Sequence, residues 1–271
     1  MVARLLYRDG LMLVIDKPAG LPVHRGPNGA AAKAAGIQGA LQDHFEALRF
    51  GLPRAPELAH RLDRETAGCL VLGRHRKALA TLGELFKTGQ VGKTYWAVVE
   101  GGPEAEQGTI DLPLARRDPS RGWWMKVDPA GQPTLTRWTV MGRASPSPDC
   151  GGGSSRSDGV EAVQSSLAVP FQGKDYTWLA LEPVTGRTHQ LRVHCQAMGW
   201  PILGDSIYGS APRFGGPPLH LLSREIVVPL YKNKDAVRVT APVPKHMRAA
   251  LMACGWDGGE HIVIPGRAQQ A

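Results

Sequence analysis

The chain has 271 residues, 42% of them hydrophobic and 21% charged, the composition of an ordinary soluble protein with material for an ample core. No apolar run reaches the roughly 18 residues of a membrane helix, and the opening Met1-Val2-Ala3-Arg4-Leu5-Leu6-Tyr7-Arg8-Asp9 lacks the apolar stretch of a signal peptide. Lysine plus arginine outnumbers aspartate plus glutamate by 32 to 24, a net charge of +8, which favours a polyanionic partner such as nucleic acid, although many basic proteins bind nothing anionic.

In chain order, Met12-Leu13-Val14-Ile15 reads as a short buried strand and Asp16-Lys17-Pro18-Ala19-Gly20 as the turn that ends it. Leu21 to Gly26 continues as an extended loop. Residues 40–48 have helical composition, with Leu41, Phe45 and Leu48 on one face. Cys69 to Leu72 is a core strand, and Lys77 to Lys87 an amphipathic helix with Leu79, Leu82, Leu85 and Phe86 clustered. Lys93 to Glu100 carries the Thr, Tyr, Trp and Val of a strand. From about 144 to 166, Pro146, Pro148 and Gly151-Gly152-Gly153-Ser154-Ser155 mark a flexible, low-complexity insertion.

Beyond it, Tyr176 to Leu181 is a strand. Thr188 to Met198 is a helix that Thr188 caps and Gly199 ends, with Leu191, Cys195 and Met198 on one face. Ile226-Val227-Val228 is a late strand and Lys245 to Cys254 a terminal helix; the tail from about 258 to 271 is expected to fray. Strands and helices mix without a regular βαβ rhythm. The expected fold is therefore α+β, a mixed, mostly antiparallel central sheet with flanking helices, in one domain spanning 1–271. The four cysteines, Cys69, Cys150, Cys195 and Cys254, are scattered with no CxxC pair. A zinc site or disulfide framework is not expected, and a reducing cytoplasm is.

The segment with the most chemistry is His60-Arg61-Leu62-Asp63-Arg64-Glu65-Thr66-Ala67-Gly68. It sets one carboxylate between two arginines in apolar surroundings, where guanidinium groups keep a water-poor carboxylate ionised and ready to act as nucleophile or base. Taken alone, Asp63 is better explained as a structural ion-pair partner of Arg61 or Arg64. Three more segments stand out: Lys93-Thr94-Tyr95-Trp96-Ala97, Gly186-Arg187-Thr188-His189-Gln190-Leu191-Arg192-Val193-His194, and Gly204-Asp205 with Tyr208-Gly209. His189 and His194 lie off a shared helical face and are read as capping or core-edge residues, so no metal is expected. Asp16 and Lys17 are read as turn-stabilising. Trp123-Trp124 fits RNA stacking and an exposed packing pair equally.

Together these segments, with Asp16-Lys17-Pro18-Ala19-Gly20-Leu21-Pro22-Val23-His24, resemble the RluA-type pseudouridine synthases, in the right order from about residue 11 to 209. The resemblance implies a pseudouridine synthase fold with a central RNA-binding cleft. It also implies an isomerase that breaks the N-glycosidic bond of a uridine in RNA, turns the uracil and rejoins it through carbon, without a cofactor. Asp63 lines up with the family's essential carboxylate, which attacks the sugar or takes a sugar proton. Tyr95 lines up with the aromatic that stacks on the base and helps remove the proton at the newly bonded carbon. Arg192 lines up with the arginine that pairs with the carboxylate, and Arg61 with a residue that holds the flipped RNA. His60, Arg187 and Leu191, in the same motifs, are expected to line the substrate site.

The expected partner is a ribosomal or transfer RNA stem-loop, met in the cytoplasm by a monomer with no membrane contact. Ala67 replaces a serine common in the family, and the insertion is outside the family pattern. The first motif begins too near the N-terminus for the small RNA-binding domain many relatives carry. A non-catalytic RNA-binding or ribosome-assembly protein on the same fold would keep the charge without needing Asp63 or Tyr95. A glycosidic hydrolase would need a second carboxylate.

Overall fold

The computed structural model describes residues 1–24, 39–118, 124–145 and 174–259. Arg25 and Gly26 of the expected loop, Trp123, Cys150, residues 146–166 of the expected insertion and residues 260–271 of the tail lie outside them. The described strands are β1 (Leu5–Arg8), β2 (Met12–Lys17), β3 (Glu57–Leu58), β4 (Ala67–Gly73), β5 (Gly92–Glu100), β6 (Gln107–Asp111), β7 (Leu114–Arg116), β8 (Met125–Val127), β9 (Leu135–Ala144), β10 (Tyr176–Pro183), β11 (Leu221–Val228) and β12 (Val237–Thr240). The α-helices are α1 (Arg76–Lys87), α2 (Gln190–Ala197) and α3 (Lys245–Ala253).

Ten strands form one sheet in the order β1-β2-β4-β11-β5-β10-β9-β6, with β12 on β11 and β3 on β4; β7 and β8 form a separate hairpin. Within this sheet β4 and β11 run parallel, aligning Leu222 with Ala67 and Ser223 with Gly68, and the other described pairings are antiparallel. The architecture is the α+β, mixed and mostly antiparallel sheet that the sequence pattern implies. At the parallel junction the chain needs a glycine. Gly68 has φ +105, and a Cβ there would lie 2.3 Å from the Ser223 carbonyl oxygen.

Side chains alternate across the sheet. Met12, Val14, Cys69, Val71, Trp96, Val98, Trp178 and Ala180 point to one face, where Leu82 of α1 and Met247, Ala250 and Leu251 of α3 cover them. The opposite face is covered in two separate patches. Leu13, Ile15, Leu70 and Leu72 pack under Leu41, Phe45, Leu48 and Leu62. Ala97, Val99, Leu179 and Leu181 pack under Leu191 and Cys195 of α2. Tyr95 touches both patches and so lies in the gap between them. That gap is where the cleft opens.

Several sequence expectations are modified. Residues Leu41–Leu48 bury the expected face, but they wind as a 3₁₀ helix, entered through a 2.8 Å bond from the Ala40 N–H to the Asp43 carboxylate. Thr188 does not cap α2. The helix starts at Gln190, behind His189, whose φ of 54 is left-handed. Met198 is 44% exposed rather than on the buried face of Leu191 and Cys195, because α2 ends at Ala197. The late strand runs from Leu221, and β9 reaches Ala144, the first residue of the expected insertion.

Candidate active site

Asp63 sits in a short segment held from four sides. A turn closes behind it, with the Thr66 N–H donating to the Asp63 carbonyl at 3.2 Å. The buried ammonium of Lys17 donates to the carbonyls of Pro18 (2.9 Å), Arg64 (2.8 Å) and Thr66 (2.9 Å). Gly20 N–H donates to the Arg64 carbonyl at 2.9 Å, and the Arg64 guanidinium returns a bond to the Gly20 carbonyl at 3.0 Å. Lys17 therefore does stabilise the turn that follows β2, and it also ties that turn to the Asp63 segment. On the other flank His60 accepts the Val71 N–H at 3.0 Å and stacks on Phe86 of α1 at 4.4 Å. Burial, then the nearby charge of Lys93, drives the His60 imidazole down to about 3.

These contacts correct two readings. Arg64 is engaged with Gly20 and with Glu65 at 3.2 Å, so it does not flank the Asp63 carboxylate. His60 lines the cleft, but its ring nitrogen is committed to β4 and its face to Phe86, so it anchors the segment rather than offering a polar group to substrate.

The cleft has a volume of about 700 Å³. All the sequence-picked residues line it: His60, Arg61, Asp63, Tyr95, Arg187, Leu191 and Arg192. Asp63 is the one carboxylate among the lining residues, against Arg61, Lys87, Lys93, Arg187 and Arg192. Arg61 and Arg187 are exposed at its mouth. Lys93 is half-buried, and burial lowers its proton affinity. Tyr95 is hydrogen-bonded to Ser223; burial raises its hydroxyl well above the ordinary range, and the charge of Asp63 adds to this. Tyr95 is thus a neutral phenol and a flat wall.

Arg192 is placed differently from expectation. Its Nε and Nη2 each lie 2.7 Å from an oxygen of Asp205, and both side chains are buried. Burial opposes the charge of each, but the fork-to-carboxylate bonds outweigh it, raising the affinity of Arg192 for its proton and lowering that of Asp205. Asp205 is fixed further by the N–H groups of Ile207 and Tyr208, both at 2.9 Å. Arg192 therefore reaches Asp63 as a nearby charge, not as its hydrogen-bond partner. The reason is positional: Asp205 is buried directly against the guanidinium, while Asp63 stands on the cleft wall.

Gln190 and His189, neither expected to line the substrate site, prove central to the geometry. Gln190 accepts from Arg187 N–H (3.1 Å) and Thr185 hydroxyl (2.8 Å) and donates to Leu135 carbonyl and Thr136 hydroxyl, clamping the segment before α2 onto β9. His189, read above as a capping or core-edge residue, lines the cleft, and its Nε2 is 3.9 Å from Asp63 Oδ2. His194 is a core residue, bound to Thr134, Thr136 and the Leu112 carbonyl. The left-handed backbone of His189 has no sequence signal beyond the residue type.

A sheet covered in two patches, with a cation-ringed cleft between them and one carboxylate on its wall, defines an enzyme site for a polyanion. Residues 11–197 match the model of the family described as RNA pseudouridylate synthase. The chain is 36% identical over 246 residues to an uncharacterised RNA pseudouridine synthase of Zymomonas mobilis, covering 89% of this chain and 94% of that one. It is 30% identical to the ribosomal large subunit pseudouridine synthase C of Vibrio cholerae, covering 91% and 68%. The solved structure of human RNA pseudouridylate synthase domain containing 4 superposes with a TM-score of 0.66 at 25% identity, covering 93% of each chain. The chain belongs to the RNA pseudouridylate synthase family, of the RluA type, and is an isomerase acting on RNA.

Proposed function

We propose that the chain converts uridine to pseudouridine in a structured ribosomal or transfer RNA, with Asp63 as the catalytic carboxylate. The observation that carries this is the isolation of Asp63. It is the single acid lining a cleft whose other charged lining residues are all cations. A uridine stacked in a helix cannot be detached, turned and rejoined, so it must be extruded, at a cost of a few kcal/mol. Cations on flanking phosphates and a stacking surface offset that cost. Arg61 and Arg187 at the mouth and Lys93 deeper in suit the phosphates, and Tyr95 suits the base.

The support differs between the two roles of Tyr95. Its position between the covered patches favours stacking, whereas its raised proton affinity works against a phenolate base. A ribosomal target draws support from the Vibrio cholerae relative, which is named for the large ribosomal subunit. The free, buried thiols of Cys69, Cys195 and Cys254 suit the reducing cytoplasm in which the chain would act, as a monomer.

Asp63→Asn is the direct test. The amide preserves shape, so the variant should keep the wild-type melting temperature. It should release no tritium from carbon 5 of uridine in ribosomal or transfer RNA transcripts, because forming the new bond expels that hydrogen. Wild-type tritium release from a folded Asp63→Asn protein would remove Asp63 from the mechanism.

A further inference from the structure

His189 combines a strained backbone with a fixed ring at the wall of the cleft. Its φ of 54 is one of two positive values among the described non-glycine residues. A residue held in that region costs of order 1–3 kcal/mol and persists where surrounding contacts impose it. Here the contacts form a chain. The Met125 N–H of β8 donates to the Tyr208 hydroxyl oxygen at 2.8 Å. The Tyr208 hydroxyl lies 2.9 Å from His189 Nδ1. The Arg192 guanidinium stacks over the Tyr208 ring at 5.2 Å, fixing its plane.

One arrangement of donors and acceptors in this chain leaves no polar proton unpaired: Met125 N–H donates to the Tyr208 oxygen, and the Tyr208 proton goes to Nδ1. In a neutral ring the proton is then on Nε2, the nitrogen that faces Asp63. The ring is kept neutral first by burial and then by the charges of Arg192 and Arg61, against the opposing pull of Asp63 and Asp205. At 3.9 Å, Nε2 and the Asp63 oxygen are too far apart to bond directly. An oxygen set beside the line between them reaches both. Inside an RNA chain the 3′ and 5′ oxygens are esterified, so the free ribose hydroxyl is the 2′ one. It neighbours the carbon whose bond to uracil breaks.

We propose that His189 is a substrate-contacting residue, donating its Nε2–H to the 2′-hydroxyl of the target uridine against Asp63, with its tautomer set from the β7–β8 hairpin through Tyr208. The proposal rests on the uridine reading of the cleft given above. It also gives Tyr208 a task at a distance: it is a positioning residue, acting through His189.

The test pairs a protein change with a substrate change. His189→Asn tolerates the left-handed backbone but is too short to reach the gap. Single-turnover conversion is measured on a stem-loop carrying one converted uridine and on the same stem-loop with 2′-deoxyuridine there. The wild type should favour the ribose substrate by about tenfold, the scale of one hydrogen bond in a dry site. In His189→Asn the rate on the ribose substrate should fall toward that on the 2′-deoxy substrate, so that most of the preference is lost, and Tyr208→Phe should shift it in the same direction. An undiminished preference in His189→Asn overturns the contact, and an undiminished preference in Tyr208→Phe overturns the relay.

Independently of activity, nitrogen-15 spectra of the free protein should show His189 as the Nε2–H tautomer. An Nδ1–H ring or an imidazolium at neutral pH also overturns the proposal. The underlying uridine reading fails in a different way, by absence of conversion in the wild type or its persistence in Asp63→Asn.

Discussion

Lys17 shows how much of the site depends on a residue that never meets substrate. Its ammonium is fully buried and reaches three carbonyls, two of them in the Asp63 segment. Burial pulls its proton affinity down to about 8, against the opposing charges of Glu65 and Asp63. Replacing it with methionine keeps most of the volume but strips the ammonium from the Pro18 and Thr66 carbonyls, while the Arg64 carbonyl keeps the Gly20 N–H. Stranded buried acceptors cost roughly 1–3 kcal/mol each, less where water enters, so Lys17→Met should lose roughly 3 kcal/mol of stability in denaturant unfolding. Conversion by the remaining folded fraction should fall through kcat, since the carboxylate's seat loosens while the cations at the mouth are untouched. Unchanged stability and unchanged kcat would show that the turn holds itself. Arg192 carries a related lesson. Breaking a buried pair costs about 3–5 kcal/mol, so Arg192→Ala reports first on the Asp205 pair and only then on Asp63.

Elements were legible where one residue class dominated. The continuous apolar runs of β2 and β4, the Tyr, Trp and Val of β5 and the Tyr, Trp and Leu of β10 read correctly, because strands largely buried on both faces have few polar interruptions. The amphipathic α1 and the terminal α3 were equally plain. β9 was missed although it is ten residues long. Its buried Thr136, Trp138 and Val140 alternate with Arg137 and Thr139, and threonine hides the alternation. The motif residues of the cleft were legible as a set through resemblance, but the Arg192–Asp205 pairing and the His189 backbone are products of tertiary packing that no spacing encodes.

At the level of an element, Gly68 makes the sharpest prediction. It starts β4 beside the parallel partner strand, with φ +105 and the Ser223 carbonyl where a Cβ would go. Gly68→Ala should cost about 2 kcal/mol or more from the backbone alone, and more from the clash. Denaturant unfolding should show a lower midpoint with an unchanged slope. A midpoint equal to the wild type would mean that β4 and β11 separate there without penalty.

Across the described molecule, folding lowers the proton affinity of five histidines, in each case chiefly by burial. His60 is held down to about 3 and His220 to about 4, each chiefly by burial. His194 and His246 are lowered too, again chiefly by burial. Unfolded histidines titrate near 6.5, so below that pH the unfolded chain binds protons that the folded chain refuses. Stability therefore rises with pH across the window from about 4 to about 6.5, and acid erodes it. Each fully contributing histidine adds up to about 1.4 kcal/mol per pH unit. Two of them acting from pH 6.5 to 5 remove about 3 kcal/mol, since each is only half protonated at 6.5 in the unfolded chain, or roughly 10 °C in melting temperature for a chain of this size. His60→Gln keeps an acceptor for the Val71 N–H but cannot titrate, so it should flatten part of that slope. Calorimetric scans of the two proteins at pH 6.5 and 5 decide the matter. Parallel slopes would remove His60 from the acid sensitivity and leave it to the other buried histidines, because carboxylates such as Asp9 and Asp205, lowered on folding from an ordinary value near 3.9, act only below about pH 5.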